Sequence, residues 1–299
     1  MKHIVESQQF DKKTIEHIFK KADLFSKTRS KPLNGKIMAS LFYEPSTRTR
    51  FSFESAMLRL GGSVISTENA GEFSSAAKGE TLEDTIRVVN NYADVIVLRH
   101  YEKGASERAS SVSNIPVINA GDGTGQHPTQ ALLDLYTIKK ELGRLNTLKI
   151  AFVGDLKNGR TVRSLVYLLG KYERIQIYFI SPKELIIGSD IKEYLNRHSV
   201  AYTELDSWDT ELNKVDVLYQ TRIQKERFKT AKDYIKYKGK YILTKKEVDK
   251  MKKQSIIMHP LPRIDEIATE VDRMRQAVYF KQAKYGLFIR MALLNYALS

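Results

Sequence analysis

Cysteine is absent from the 299 residues. Disulfides, thiol nucleophiles and thiolate zinc sites are therefore excluded. The six histidines (His3, His17, His100, His127, His198 and His259) are scattered, with no HExxH or similar ligand spacing, so no metal is expected. No apolar run approaches the roughly 20 residues of a membrane span. The opening stretch MKHIVESQQFDKK lacks the apolar segment of a signal peptide. The expectation is a cytoplasmic protein without membrane contact. Carboxylates are outnumbered: Asp and Glu total 35 against 49 Lys and Arg, a net charge of +14. The densest basic runs, TRIQKERFKTAKDYIKYKGK and TKKEVDKMKKQ, are interleaved with carboxylates and read as solvated faces. No helix-turn-helix, RRM or zinc-finger motif accompanies them, so no nucleic-acid partner is expected. A positive field of this kind suits the capture of small anionic substrates.

What is present is an alternation of two periods. Short β-branched runs (KIMASLF, ADVIVLR, IPVINA, LKIAFVGD, IQIYFIS, VDVLYQT and QSIIMH) are separated by helical stretches. The helices are expected near Asp11–Phe25, Arg48–Leu60, Thr81–Tyr92, His127–Leu142, Arg160–Leu169 and Tyr285–Leu298. Near-continuous apolar strands between helices indicate parallel sheets covered on both faces. The segment ELGRLNTLKIAFVGD closes one helix near Gly143 and opens a strand at Leu148, in mid-chain. Two doubly wound α/β domains are predicted, each a mainly parallel sheet flanked by helices.

In open α/β sheets ligands collect beyond the carboxyl ends of strands. After KIMASLFY comes Glu44-Pro45-Ser46-Thr47-Arg48-Thr49-Arg50, crowding hydroxyls and guanidiniums at a helix start. This is either an ordinary capped helix or an anion site built from free backbone N–H groups, hydroxyls and cations. Arg99 closes an apolar strand and either faces the crevice or pairs with a buried acid. His127 and Gln130 stand at the mouth of the helix that opens with Pro128, a good first helical residue. GDLKNGR, which follows the fourth of these runs, is not GxGxxG, so no dinucleotide or other cofactor is expected. Arg160 opens the next helix, and Arg222 and Gln224 follow another strand. In His259-Pro260-Leu261-Pro262-Arg263 two prolines remove amide donors and leave the carbonyls of Pro260 and Leu261 as acceptors. Ser74 and Lys78 lie in a small, polar stretch, AGEFSSAAKGETLEDT, which reads equally as a surface loop or as a mobile loop bringing Lys78 to an anion.

Together these segments resemble the aspartate and ornithine carbamoyltransferases over nearly the whole chain. The resemblance rests on STRTR, KGET, LRH, HPTQ, GDLKNGRT, TRIQKER and HPLPR, in that order. It implies a carbamoyl-phosphate-binding domain at 1–143, completed by a C-terminal helix at 286–299 that packs back on it, and an acceptor-binding domain at 144–285. Ser46, Thr47, Arg48 and Thr49 would cradle the phosphate, and Arg99 would contact phosphate and carbonyl oxygen. His127 and Thr49 would polarise the carbonyl, while Gln130 and the Leu261–Pro262 loop orient the carbamoyl group. Ser74 and Lys78 would reach a neighbouring subunit's site, which implies a homotrimer with shared sites. A separate regulatory chain accompanies some members of the family. Ornithine enzymes carry HCLP and SMG motifs, which this chain lacks. Arg160, Thr161, Arg222 and Gln224, with Lys78, would instead hold the carboxylates of aspartate. The reaction implied is carbamoyl transfer from carbamoyl phosphate to the amine of L-aspartate, the committed step of de novo pyrimidine biosynthesis.

Overall fold

The computed structural model describes residues 2–68, 79–223, 230, 235 and 239–299. The expected site residues Ser74, Lys78 and Gln224 lie outside these. The chain divides into two compact units, 1–133 with 284–299, and 134–283.

In the first unit, β1 (Ile37–Phe42), β2 (Ser63–Glu68), β3 (Val95–His100) and β4 (Val117–Asp122) form a sheet in the order β2-β1-β3-β4. Every pairing is parallel. Around it lie α1 (Lys12–Lys27), α2 (Thr47–Arg59), α3 (Leu82–Val89) and α4 (Ala105–Val112). Leu82 and Ile86 of α3 and Ala105 and Ala109 of α4 pack with Ala39, Leu41, Ile96 and Leu98 in one buried cluster. Met38, Phe42, Val95 and Val97 are buried as well. Burial on both faces explains why these strands read as continuous apolar runs.

In the second unit, β5 (Lys149–Val153), β6 (Gln176–Ile180), β7 (Ala201–Leu205), β8 (Val217–Gln220) and β9 (Ile256–Met258) run parallel in the order β7-β6-β5-β8-β9. Helices α6 (Arg160–Leu169), α7 (Ser189–Arg197) and the short α8 (Lys245–Val248) belong to this unit. Helix α5 (Pro128–Leu142) runs from the first unit into the second, and α9 (Tyr279–Ala297) runs from the second into the first. The compact units thus part inside two helices, whereas the expected limits of 143 and 286 sought helix ends. Within the first unit α9 packs through Ile289, Met291, Ala292, Leu293 and Leu294, all at most 3% exposed. Arg290 of α9 donates to Ser52 of α2 at 2.8 Å. Gly286 permits the close approach, since a Cβ there would lie 3.0 Å from Leu133 Cδ2.

Asp216 ties the strand starts of the second sheet together. Its carboxylate accepts from the Lys149 N–H at 2.9 Å and pairs with Lys252 at 2.9 Å and Arg144 at 3.3 Å. Burial pushes its pKa up, but the backbone donor and the two cations overcome that and hold it below the usual carboxylate range. A carboxyl with a depressed folded-state pKa contributes its stability above the unfolded value of about 3.9, and loses it as pH falls through the folded value. Asp216→Asn is expected to cost about 1–3 kcal/mol at pH 7. The gap to wild type should close on acidification below about pH 4. Urea unfolding at several pH values measures both.

Candidate active site

In the first sheet the strand order reverses between β1 and β3, the place where doubly wound sheets bind ligands. Phe42 and Arg99 stand opposite each other at that point, and the Tyr43 N–H donates to the Arg99 carbonyl at 2.9 Å. The chain leaving β1 turns into α2 at Ser46, the N-cap, whose hydroxyl makes no capping hydrogen bond. Pairing to the carbonyl four residues back begins with the Arg50 N–H, which donates to the Ser46 carbonyl at 3.0 Å. The N–H groups of Thr47, Arg48 and Thr49 therefore lack an intrahelical acceptor and face the helix start, where the dipole favours negative charge. Thr47 and Arg48 are exposed, Ser46 is half-buried and Thr49 is buried. Desolvation draws the Arg48 pKa below the ordinary arginine value, and the group stays cationic.

Arg50 differs from Arg48. Its Nε lies 3.5 Å from Glu54, one helical turn on. Glu54 also accepts from Ser40 at 3.2 Å and Ser66 at 2.7 Å, so it links α2 to both β1 and β2. Arg99 Nη2 lies 3.2 Å from Glu44 Oε2, and its Nη1 donates to the Ala120 carbonyl at 3.4 Å. Arg99 thus sits at the switch point and pairs there with Glu44, a partly exposed acid and not a buried one. His127 and Gln130 are buried at the start of α5, with Thr129 Oγ1 3.3 Å from His127 Nδ1. The loop that leads to them is pinned by Asp122, which sequence reasoning missed. Its carboxylate accepts from the N–H groups of Gly104 at 2.9 Å and Gln126 at 2.8 Å, and from Asn119 at 3.2 Å. An acid at the end of an apolar strand, in NAGDG, was the available signal.

The second sheet reverses between β5 and β8. Gly154 ends β5 with φ +114°, and a Cβ there would lie 2.4 Å from the Thr221 carbonyl oxygen. The Thr221 N–H and hydroxyl both donate to the Val153 carbonyl at 2.8 Å. The loops carrying Arg160 and Arg222 are thereby locked side by side. Asp155 caps the first loop by accepting from the Asn158 N–H at 3.0 Å, and Arg160 is the first residue of α6. Arg160, Thr161 and Arg222 are all half-buried. After β9, the next strand, Leu261 has φ +51° and precedes a cis bond to Pro262. Arg263, in the same motif, forms a two-pronged pair with Asp272 and donates to the Tyr279 hydroxyl at 3.1 Å. It braces the loop. The Arg263 hydrogen bond holds the Asp272 carboxyl below its usual range. Among the described residues no group of three or more His, Asp or Glu could hold a metal ion. Nor is any described helix long and apolar enough to cross a membrane.

Two parallel sheets, each with guanidiniums on the chain near the point where its strand order reverses, define a two-unit α/β protein. Residues 2–140 match the model of the aspartate/ornithine carbamoyltransferase carbamoyl-P binding domain, and residues 146–297 that of the Asp/Orn binding domain. The chain belongs to the aspartate/ornithine carbamoyltransferase family. It is 56% identical over 298 residues to the chloroplastic aspartate carbamoyltransferase 2 of Pisum sativum, covering 98% of this chain and 77% of that one. It is 53% identical over 300 residues to the aspartate carbamoyltransferase catalytic subunit of Methanocaldococcus jannaschii, covering 99% and 97%. The solved catalytic subunit of the M. jannaschii aspartate transcarbamoylase superposes with a TM-score of 0.92 at 52% identity, covering 100% and 98% of the two chains. The Trypanosoma cruzi aspartate transcarbamoylase in complex with carbamoyl phosphate and aspartate gives 0.93 at 40% identity, covering 100% and 97%.

Proposed function

We propose that this protein transfers the carbamoyl group of carbamoyl phosphate to the amine of L-aspartate, giving N-carbamoyl-L-aspartate and phosphate, the committed step of de novo pyrimidine biosynthesis. The observation that carries the reading is the start of α2. There the Ser46 hydroxyl makes no capping hydrogen bond, three first-turn N–H groups lack an intrahelical acceptor and Arg48 is exposed, just after the strand that pairs with the one ending in Arg99. A helix start of that composition suits a phosphate. The relatives named for aspartate support the acceptor, as does the presence of Arg160 and Arg222 on the loops after β5 and β8 of the second unit, since two guanidiniums suit a dicarboxylate and repel an ornithine side chain. Gln224, Ser74 and Lys78 keep the roles the family resemblance implies.

Charge dictates the mechanism. The neutral amine of aspartate forms a bond to the carbamoyl carbon, and negative charge builds on the carbonyl oxygen. Thr49, Arg99 and His127 stabilise that oxygen as prearranged donors. The bond from carbon to the phosphate oxygen then breaks, and Ser46, Thr47 and Arg48 hold the departing phosphate, which takes up the amine proton. No nucleophilic side chain is needed, so the lack of cysteine carries no penalty.

The reading extends to a homotrimer in the cytoplasm. Phe51 and Leu58 of α2 and Ile65 of the edge strand β2 are 55%, 60% and 44% exposed. The two α2 residues share one helix face at i, i+7 spacing and make a short apolar stripe there. A stripe of this kind beside a sheet edge fits burial against another copy. The test is product formation from carbamoyl phosphate with aspartate, and separately with ornithine, on the purified chain. Carbamoyl aspartate without citrulline is the expected result. Citrulline would transfer the chain to another acceptor within the family.

A further inference from the structure

Gln220, the last residue of β8, is fully buried within the second unit, and its amide is only half used. Its Nε2 donates to the Tyr241 carbonyl at 3.2 Å and to the Thr221 carbonyl at 3.4 Å. Both partners are acceptors, so the amide fits only with its NH2 toward them. The oxygen is left over: among the described residues Gln220 Oε1 is buried and has no hydrogen-bond partner. A buried amide oxygen without a donor is destabilising. Leu218, two residues earlier on the same face of β8, packs in an apolar cluster with Trp208, Tyr241 and Leu243. An aliphatic side chain would be the ordinary occupant of the position that Gln220 takes.

What the amide does hold is the backbone on either side of Arg222. The chain leaves β8 through Thr221, whose N–H and hydroxyl both donate to the Val153 carbonyl at 2.8 Å. It is back beside the end of β8 at Tyr241, whose carbonyl takes the Gln220 NH2. There the Tyr241 hydroxyl donates to the Asp206 carbonyl at 2.9 Å, and its ring meets Trp208 edge-on at 6.1 Å. One NH2 thus reaches a carbonyl at each end. Arg222 is the first residue beyond Thr221 and is half-buried. Freedom left in the backbone that carries a guanidinium must be given up when the guanidinium grips a carboxylate, and affinity falls accordingly.

We propose that Gln220 is a positioning residue for the acceptor: by tying Thr221 to Tyr241 it fixes the backbone that carries Arg222, and it does so at the expense of stability. The inference rests on the carbamoyl-transfer reading above, in which Arg222 holds a carboxylate of aspartate. That reading gives the phosphate to the start of α2 in the first unit, so the two substrates should respond differently to the loss of the tie.

The test is Gln220→Met in the full chain, with kcat, the KM for each substrate and a urea unfolding curve. The KM for aspartate is expected to rise about fivefold, the effect of one ordinary hydrogen bond. The kcat and the KM for carbamoyl phosphate should stay near wild type, the split produced by an interaction made equally in the ground and transition states. The unfolding midpoint should hold or rise, because methionine keeps the length of the side chain and removes the unpartnered oxygen. Tyr241→Phe makes the contrast. It loses the bond to Asp206 but keeps the carbonyl that Gln220 holds, so it should lower the midpoint and leave the aspartate KM alone. An unchanged aspartate KM in Gln220→Met overturns the assignment, as does an equal rise in Tyr241→Phe. So does a Gln220→Met chain that unfolds at lower urea or does not fold, since the amide would then be a structural brace. A wild-type chain that forms no carbamoyl aspartate overturns the carbamoyl-transfer reading instead.

Discussion

Arg48→Ala is expected to lower kcat at least ~10²-fold, the usual effect of removing one prearranged charge from a reacting centre. The residue sits in the first turn of α2, where its guanidinium adds to three backbone donors and the helix dipole. The side chain is exposed and supports no core packing, so the melting temperature should hardly move. Arg48→Lys keeps the charge and loses the planar fork, and should fall between the two. Steady-state kinetics with aspartate saturating, beside a thermal melt, decide the matter. Near-normal turnover in the alanine variant would remove the phosphate cradle from α2. Arg50→Ala makes the contrast: that side chain pairs with Glu54 at 3.5 Å, and its loss should show in stability before turnover.

The second large effect belongs to Gly154. At φ +114° an L side chain is strained, and its Cβ would lie 2.4 Å from the Thr221 carbonyl oxygen and 2.6 Å from its hydroxyl. Neither obstacle is the far end of a flexible chain. Thr221 is buried and bound twice to Val153. Gly154→Ala must therefore push β8 away from β5 or twist the loop. A cost of at least about 3 kcal/mol is expected, which corresponds to roughly 6–12 °C in Tm. Because Arg222 is the next residue after Thr221, the KM for aspartate should rise more than that for carbamoyl phosphate. Differential scanning calorimetry with the two KM values tests both parts, and an unchanged Tm would contradict the packing described.

The central strands were legible because both their faces are buried and they carry an unbroken apolar signal. The edge strands β2 and β7 were not. SVISTE and AYTEL are largely polar and exposed, whereas the other two edge strands, β4 and β9, are buried and read as apolar runs. Helix α4, ASERASSV, is built of small residues that fit close packing and show no apolar stripe. The start of α9 was placed six residues late, since YFKQAK looks solvated until Tyr279 and Gln282 are seen to be buried. The anion-binding groups were legible because they cluster in sequence as STRTR. Their supports were not: Glu44 meets Arg99 across paired strands, and His259 depends on Gln282 and Asp134, far away along the chain. Contacts of that kind leave no local pattern.

The second unit is inserted within the first, because the chain leaves the first unit at residue 133 and returns to it at 284. A ribosome releasing this chain exposes the α1–β4 layer long before it supplies α9, whose buried Ile289, Leu293 and Leu294 finish that layer. The inner unit can complete its own sheet during synthesis, while the outer one waits with an open apolar seam. Nascent-chain proteolysis should find the inner unit protected first, and a chain stopped before α9 should be a client for chaperones in spite of carrying every phosphate-cradle residue.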